Sequence, residues 1–390
     1  MAGTTFLDDA VPGYYFRTNA QGKLTSGSGC GNDIATERTM ARKLIVDSIR
    51  YWVSEYEVDG FRFDLMGLMD SQTVLDGYAA AKAINPNTLF EGEGWKMYNG
   101  ETGTVGLEQS YMTKTDNVAV FNDEIRDALK AGGFNEAGKG FLTKQGHDLN
   151  RLFKNLMGQP QSNYKADDPG DNLQYIVAHD GLTLHDTIAH NAKLDESIPE
   201  QKAELVSRIK MGNFMVLTAQ GISFMCGGQE RGWSKPNVNK LTNETVGRFV
   251  RNSYDSSDNI NQILWTIDAD YQGVVDYTRS LIALRKAYDV FRIGDMAKIN
   301  AAAKLLVTPE ESRLAIGYTL AWTDGLWVVI SNAETKPMTF DVGTDVSKAV
   351  VFADAKGANV AGIKTPSGVA VAANLVTVEP LTSVVLRLAK

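Results

Sequence analysis

The 390-residue sequence contains only two cysteines, Cys30 and Cys226. They lie far apart in apolar or glycine-rich surroundings, which excludes a disulfide framework and a CxxC metal site. Two free thiols are expected, with a single bridge between them as the alternative. No apolar run approaches the roughly 18 residues of a membrane span, so no membrane partner is expected. The opening, Met1 to Asp9, lacks the basic and apolar regions of a signal peptide. A cytoplasmic location is therefore expected for the chain as written, with a secreted longer form as the alternative. Positive charge is scarce too: 39 Lys and Arg against 47 Asp and Glu leave a net charge of -8. With no basic run to offset it, that balance repels a phosphate backbone, and nucleic acid is not an expected partner. Internal repeats, low-complexity tracts and long proline-rich linkers are also missing. What is present is 43% hydrophobic and 22% charged residues, an ordinary globular composition whose length suggests two domains.

From Glu37 to Tyr56 the residues Met40, Leu44, Ile45, Ile49, Trp52, Val53 and Tyr56 recur at three- and four-residue steps, predicting a helix with one buried face. Val58 to Asp64 then alternates, which puts Arg62 and Asp64 on one face of a strand and Phe61 and Phe63 on the other. The strand-then-helix rhythm returns four times: strands are predicted at 87–93, 118–122, 175–180 and 222–226, with helices at 123–130 and 203–219 between them. A further helix is predicted over 272–288. Strands alternating with helices imply a parallel sheet or barrel. From about Arg313 the period changes to two, and the stretch to Trp322, an Asp-Gly turn and Leu326 to Ser331 read as a β-hairpin opening a separate all-β domain. The boundary is expected between Gly294 and Leu306, dividing the chain into 1–300 and 301–390, with Trp322 and Trp327 in the hairpin core.

Three predicted strands carry an acid at or near their C-terminal ends: Asp64, Glu93 and Asp180. In a parallel α/β barrel such ends converge on one mouth, where active sites form. Converging acids point to glycoside hydrolysis, in which retention needs two carboxyls about 5 to 5.5 Å apart, one attacking the anomeric carbon and one protonating the leaving oxygen. Each acid taken singly has a structural alternative, as a cap on the positive end of the following helix.

The stretches Asp59-Gly60-Phe61-Arg62-Phe63-Asp64, Gly92-Glu93-Gly94-Trp95 and His179-Asp180 resemble the second, third and fourth conserved regions of the α-amylase superfamily, glycoside hydrolase family 13. The likeness is to its debranching branch, type I pullulanases first and isoamylases next. Gly29-Cys30-Gly31-Asn32-Asp33, Val120-Phe121-Asn122-Asp123, Gly228-Gln229-Glu230 and Asn252-Ser253-Tyr254 extend it over essentially the whole chain. The resemblance implies a retaining hydrolase that cleaves α-1,6 branch linkages in pullulan, amylopectin or glycogen-type α-glucans. An α-1,4-acting hydrolase, or a fragment that binds α-glucan without turnover, are the alternatives. It also implies that Asp64 is the nucleophile, Glu93 the general acid and then base, and Asp180 a ligand of the sugar 2- and 3-hydroxyls. Arg62 would orient Asp64 and His179 would hydrogen-bond a hydroxyl; Trp95 and Trp233 either stack on sugar rings or simply pack beside the barrel rim. Glu91, two residues before Glu93 on the same strand face, is a rival acid or a perturbing like charge and is assigned a peripheral role, and His147 and His190, lacking metal-ligand spacing, are read as surface or core residues. Gly181 departs from the Asn that many pullulanases have after this Asp and is more like isoamylase.

The superfamily's first conserved region, Asp-x-x-x-Asn-His, has no counterpart before Asp64, and the Tyr-Asn-Trp-Gly-Tyr-Asp-Pro motif of type I pullulanases is missing. The fold expected from the resemblance is therefore α/β, a partial (β/α)8 TIM barrel comprising strands four to eight, followed by a C-terminal antiparallel β-sandwich. Five strands cannot close an eight-stranded barrel. Beside the α-glucan as partner, either a complementing N-terminal barrel segment or another copy of the chain supplies the missing strands, or the five-strand piece repacks, or the chain is marginal and inactive. No cofactor is required. Calcium is common in the superfamily, but its usual ligands lie partly in the segment without a counterpart here, so no residue is assigned to it.

Overall fold

The computed structural model describes residues 5–131, 136, 138–146, 148–308 and 312–390; His147 lies outside them. The chain divides into two compact units, one of residues 1–121 with 162–173 and one of 122–161 with 174–390.

The first unit is built on parallel strands β1 (Gly60–Phe63), β2 (Leu89–Gly92), β3 (Ala119–Phe121) and β4 (Asn172–Gln174, up to Leu173). Adjacent strands pair in chain order, with Arg62 opposite Glu91 and Phe121 opposite Leu173. Phe90, Val120, Met66 and Met112 are completely buried in one apolar cluster with Val74 and Ala81 of the helix Ser71–Lys82. That helix starts where Asp70 accepts the amide of Thr73, a side-chain cap on donors that have no partner within the helix. The predicted first helix forms over Thr39–Tyr56, but its apolar stripe is only partly covered. Ile49 and Val53 are buried whereas Met40, Leu44, Trp52 and Tyr56 are exposed, because the stripe is broader than the face presented to the core. Trp52 and Tyr56 pack on each other instead, ring centres 4.5 Å apart.

In the second unit the short strand β5 (Ile222–Ser223) follows the helix Pro199–Thr218, and the amide of Phe224 donates to the carbonyl of Gln174. The fourth strand is displaced from its predicted position: 175–180 is not a strand, and pairing ends at Gln174. The apolar run Tyr175-Ile176-Val177 suggested the later start. The actual strand carries two fully buried amides, kept there because Asn172 bonds Tyr164 and Gln174 bonds the carbonyls of Asn155 and Gln220. Buried polar groups are tolerated when hydrogen-bonded.

The antiparallel domain contains two sheets. Thr382–Ala389 lies between Val350–Ala353 and Gly325–Asn332, with Ala315–Trp322 and Ala303–Leu305 beyond. Leu375–Val378 is the centre of the three-stranded second sheet. Val328, Ile330, Phe340, Val376, Val384 and Leu386 fill the space between the sheets. In the hairpin Trp322 pairs with Gly325. Trp327 is completely buried against Phe291, Tyr288 and Phe352, whereas Trp322 is half-buried and donates its indole N–H to Asp289. The helix Met296–Ala302, ending in the alanine run, continues directly into the strand Ala303–Leu305. The chain is thus an α/β fold, part of a (β/α)8 barrel followed by an antiparallel β domain.

Candidate active site

The three acids are not helix caps. The side chains capping the α-helices that follow β1 and the Asp180 segment belong to Asp70 and Thr183, and the helical turn that follows β2 begins only at Gln109, with Glu108 at its N-cap. Asp64 and Glu93 instead stand just past the ends of neighbouring parallel strands.

Arg62 brings these two together. One guanidinium nitrogen lies 2.9 Å from an oxygen of Asp64 and the other 3.0 Å from an oxygen of Glu93, so a single planar fork contacts both carboxylates. The planar fork geometry of a guanidinium suits this bridging. Its carbon also lies 5.9 Å from the ring centre of Phe121, within cation–π range. The two acids differ in environment: the side chain of Asp64 is 76% exposed and that of Glu93 only 11%. The second oxygen of Glu93 accepts the amide of Leu65, 2.8 Å away. Sequence reasoning missed this contact, because a backbone donor leaves no residue-type signal.

The glycine after Glu93 is demanded by packing. A Cβ on Gly94 would stand 2.4 Å from a methyl of Val120 and 3.1 Å from the backbone nitrogen of Gln109. Trp95 follows in the same unit, half-buried, its carbonyl lying directly against Gly67. Glu91 faces Arg62 across the β1–β2 ladder but forms no ion pair with it among the described residues. Burial raises its pKa, opposed by the Arg62 charge.

His179 and Asp180 lie in the second unit, both exposed, with the imidazole Nε2 3.6 Å from the carboxylate. The same unit contains a cavity of about 420 Å³ bordered by His185, Glu196, Trp233 and Tyr271 among others. Trp233 thus borders this cavity, with its indole nitrogen buried and without a hydrogen-bond partner among the described residues. Its wall contains a charged cluster that sequence reasoning also missed: His185 Nδ1 lies 2.8 Å from Asp186 and Nε2 3.0 Å from Glu196, which also accepts the Tyr271 hydroxyl. Burial alone would lower the pKa of His185, but the two carboxylates outweigh it and raise it to about 9. His185 and Asp186 are adjacent in sequence, whereas Glu196 and Tyr271 are supplied from remote positions. His190 is half-buried and packs beside Gly247. Both cysteines are free, Cys30 exposed and Cys226 partly buried. Among the described residues no group of three or more His, Cys, Asp or Glu could hold a metal ion, and no helix is long and apolar enough to cross a membrane.

The chain resembles known proteins along its whole length. The family model SpuA C-terminal matches residues 302–389. Pullulanase A of Streptococcus pneumoniae serotype 2 is 38% identical over the whole chain, which covers 34% of that protein. Pullulanase of Bacillus subtilis is 34% identical over 78% of the chain and 40% of its own length. Among solved structures, the catalytic module of the pneumococcal glycogen-degrading virulence factor SpuA superposes with a TM-score of 0.93 at 37% identity, over 98% of this chain and 59% of that one. The Group B Streptococcus pullulanase SAP in complex with maltotetraose gives 0.91 at 36%, over 98% and 53%. The chain therefore spans about a third of the length of the curated pneumococcal relative it matches. The likeness and the acid-bearing parallel strands define a glycoside hydrolase fold of family 13. Within that family, the chain is type I pullulanase-like.

Proposed function

We propose that the chain is the catalytic portion of a retaining debranching enzyme that hydrolyses α-1,6 linkages in pullulan, amylopectin or glycogen-type α-glucans. The observation that carries this reading is the Arg62 fork contacting Asp64 and Glu93 at 2.9 and 3.0 Å. Two carboxyls sharing one guanidinium are close neighbours, as a retaining mechanism requires. The relatives add support, since one is described as glycogen-degrading and another was solved with maltotetraose.

In this mechanism Asp64, the more exposed of the pair, attacks the anomeric carbon. The glycosidic C–O bond breaks as Glu93 gives its proton to the leaving oxygen. The resulting glycosyl ester is then hydrolysed by a water whose proton returns to Glu93, so the same residue serves as acid and base. Arg62 holds and aims Asp64 through its charge-assisted bond at 2.9 Å. Asp180 engages the sugar hydroxyls, His179 adds a hydrogen bond, and Trp95 offers a ring face to a sugar. The chemistry itself calls for no cofactor.

The test is incubation of the chain with pullulan, measuring reducing ends beside an Asp64→Ala control. Release by the parent chain and none by the control is the expected result. Equal inactivity of two folded proteins would overturn the assignment.

A further inference from the structure

One peptide unit, the carbonyl of Gly181 and the amide of Leu182, is held between two buried charges of opposite sign. The ammonium of Lys235, a residue with no exposed surface, donates to the Gly181 oxygen at 2.6 Å. On the other side the carboxylate of Glu136, 7% exposed, accepts the Leu182 amide at 3.1 Å. Glu136 is itself paired with the ammonium of Lys130 at 2.7 Å, both side chains less than a tenth exposed. Lys235 is further anchored through its backbone amide to Asp186 and through its ammonium to the carbonyl of Arg251.

A peptide group carries a dipole of about 3.5 D with its oxygen negative and its hydrogen positive. Here the cation faces the oxygen and the anion faces the hydrogen, so both charges stabilise one orientation of the plane and both oppose its rotation. In a low-dielectric interior such interactions are stronger than at a surface. The glycine is part of the device. Gly181 has a φ of +79°, and a Cβ there would stand 2.2 Å from the Glu136 carboxylate oxygen, so the acid occupies the volume that any side chain at 181 would need. The clamped plane begins one residue after Asp180, whose own side chain is exposed.

We propose that Glu136 and Lys235 are positioning residues that set the backbone carrying Asp180, and so aim its carboxylate at substrate. This rests on the reading of Asp180 as a sugar ligand, and it adds two residues that act only through the backbone beside it. The buried Lys130–Glu136 pair then has a role beyond stability, which such pairs do not reliably provide.

Two measurements on the chain test it. In amide hydrogen exchange, Glu136→Ala is expected to speed exchange at Leu182 at least tenfold while the amides of the helix Leu184–Asn191 keep their protection. Unchanged exchange at Leu182 would overturn the clamp, whether or not the chain turns over pullulan. In kinetics, Glu136→Ala is expected to lower kcat/KM at least tenfold in the parent background. It should lower it by less than twofold when added to Asp180→Asn, since a residue acting through Asp180 has nothing left to position. Full additivity would overturn the positioning role. Glu136→Gln, which keeps an acceptor for Leu182, should fall between parent and alanine variant, and it serves if the alanine variant does not fold. An inactive parent chain with rapid Leu182 exchange in Glu136→Ala would overturn the debranching assignment and leave the clamp standing.

Discussion

The amide of Leu65 donates to the carboxylate of Glu93 from a residue held in the left-handed region, at φ 43° and ψ 46°. That conformation costs a non-glycine residue about 1 kcal/mol or more. Here it turns the chain immediately after Asp64 so that a backbone donor reaches the neighbouring acid. Glu93 is thereby held by two charge-assisted contacts, this amide and Arg62.

Glu93→Gln keeps the shape of the side chain and removes its proton chemistry. Pullulan hydrolysis is expected to fall at least a thousandfold with the circular dichroism spectrum unchanged. With a substrate bearing an activated leaving group, added azide should restore turnover, because an external nucleophile bypasses the base step. A variant within tenfold of parent activity would remove Glu93 from the acid–base role.

Arg62→Lys preserves charge but replaces a planar fork with a point donor, which cannot contact both acids in the same way. We expect kcat/KM on pullulan to drop about a hundredfold, in line with loss of one or two charge-assisted hydrogen bonds at roughly 1.5 to 3 kcal/mol each. Parent-like kinetics in Arg62→Lys would show that the bridging geometry is dispensable.

The His185–Glu196 pair should confer a pH-dependent stability. His185 has a folded pKa of about 9 against an ordinary 6.5, so its contribution is fully present below 6.5 and is lost as pH rises through 9. Glu196, lowered by His185 against the opposing effect of burial, lies at about 2 against 4.5. Its contribution is present above 4.5 and is lost as pH falls through 2. The pair is therefore at full strength between about 4.5 and 6.5. Glu196→Gln is expected to cost about 2 kcal/mol there, less than the roughly 3 to 5 of a fully buried pair because Glu196 is a third exposed. Denaturant titrations at pH 5.5 and 9.5 check this: the parent should lose its advantage at the higher pH.

Asp171 presents the opposite sign. It is 1% exposed, one of its oxygens has no partner among the described residues, and burial raises its pKa to about 8. The nearby carboxylates of Asp168, Asp167 and Asp116 add to the shift. A carboxyl raised in the fold from 3.8 contributes no penalty below that pH and destabilises increasingly as pH climbs toward 8. Relative to Asp171→Asn, the parent chain should lose about 1 to 3 kcal/mol of stability between pH 5 and pH 8. Parallel pH profiles for the two proteins would contradict it.

The parts of the molecule legible in the sequence are those with local causes. The alternation through Arg62 and Asp64 marked a strand with two charges on one face, and the structure joins those charges directly. The period-two pattern and Asp-Gly turn located the hairpin of Ala315–Trp322 and Gly325–Asn332. Asp64 and Glu93 stand just past strand ends as their local pattern suggests, whereas Asp180 lies beyond the strand Asn172–Gln174 rather than at the end of a strand over 175–180.

Other features depend on groups remote in the chain. The fourth strand, Asn172–Gln174, carries amides whose burial depends on Tyr164, Asn155 and Gln220, so apolar pattern alone placed it too late. Glu196 and Tyr271 reach His185, and Glu136 and Lys235 clamp the 181–182 peptide, from positions that no local spacing connects. Short-range propensity and periodicity determined the strand-and-helix rhythm and the identity of the acids. Which buried charge faces which partner was decided by tertiary folding, because desolvated groups are stable only where the fold delivers a counter-charge or a backbone dipole.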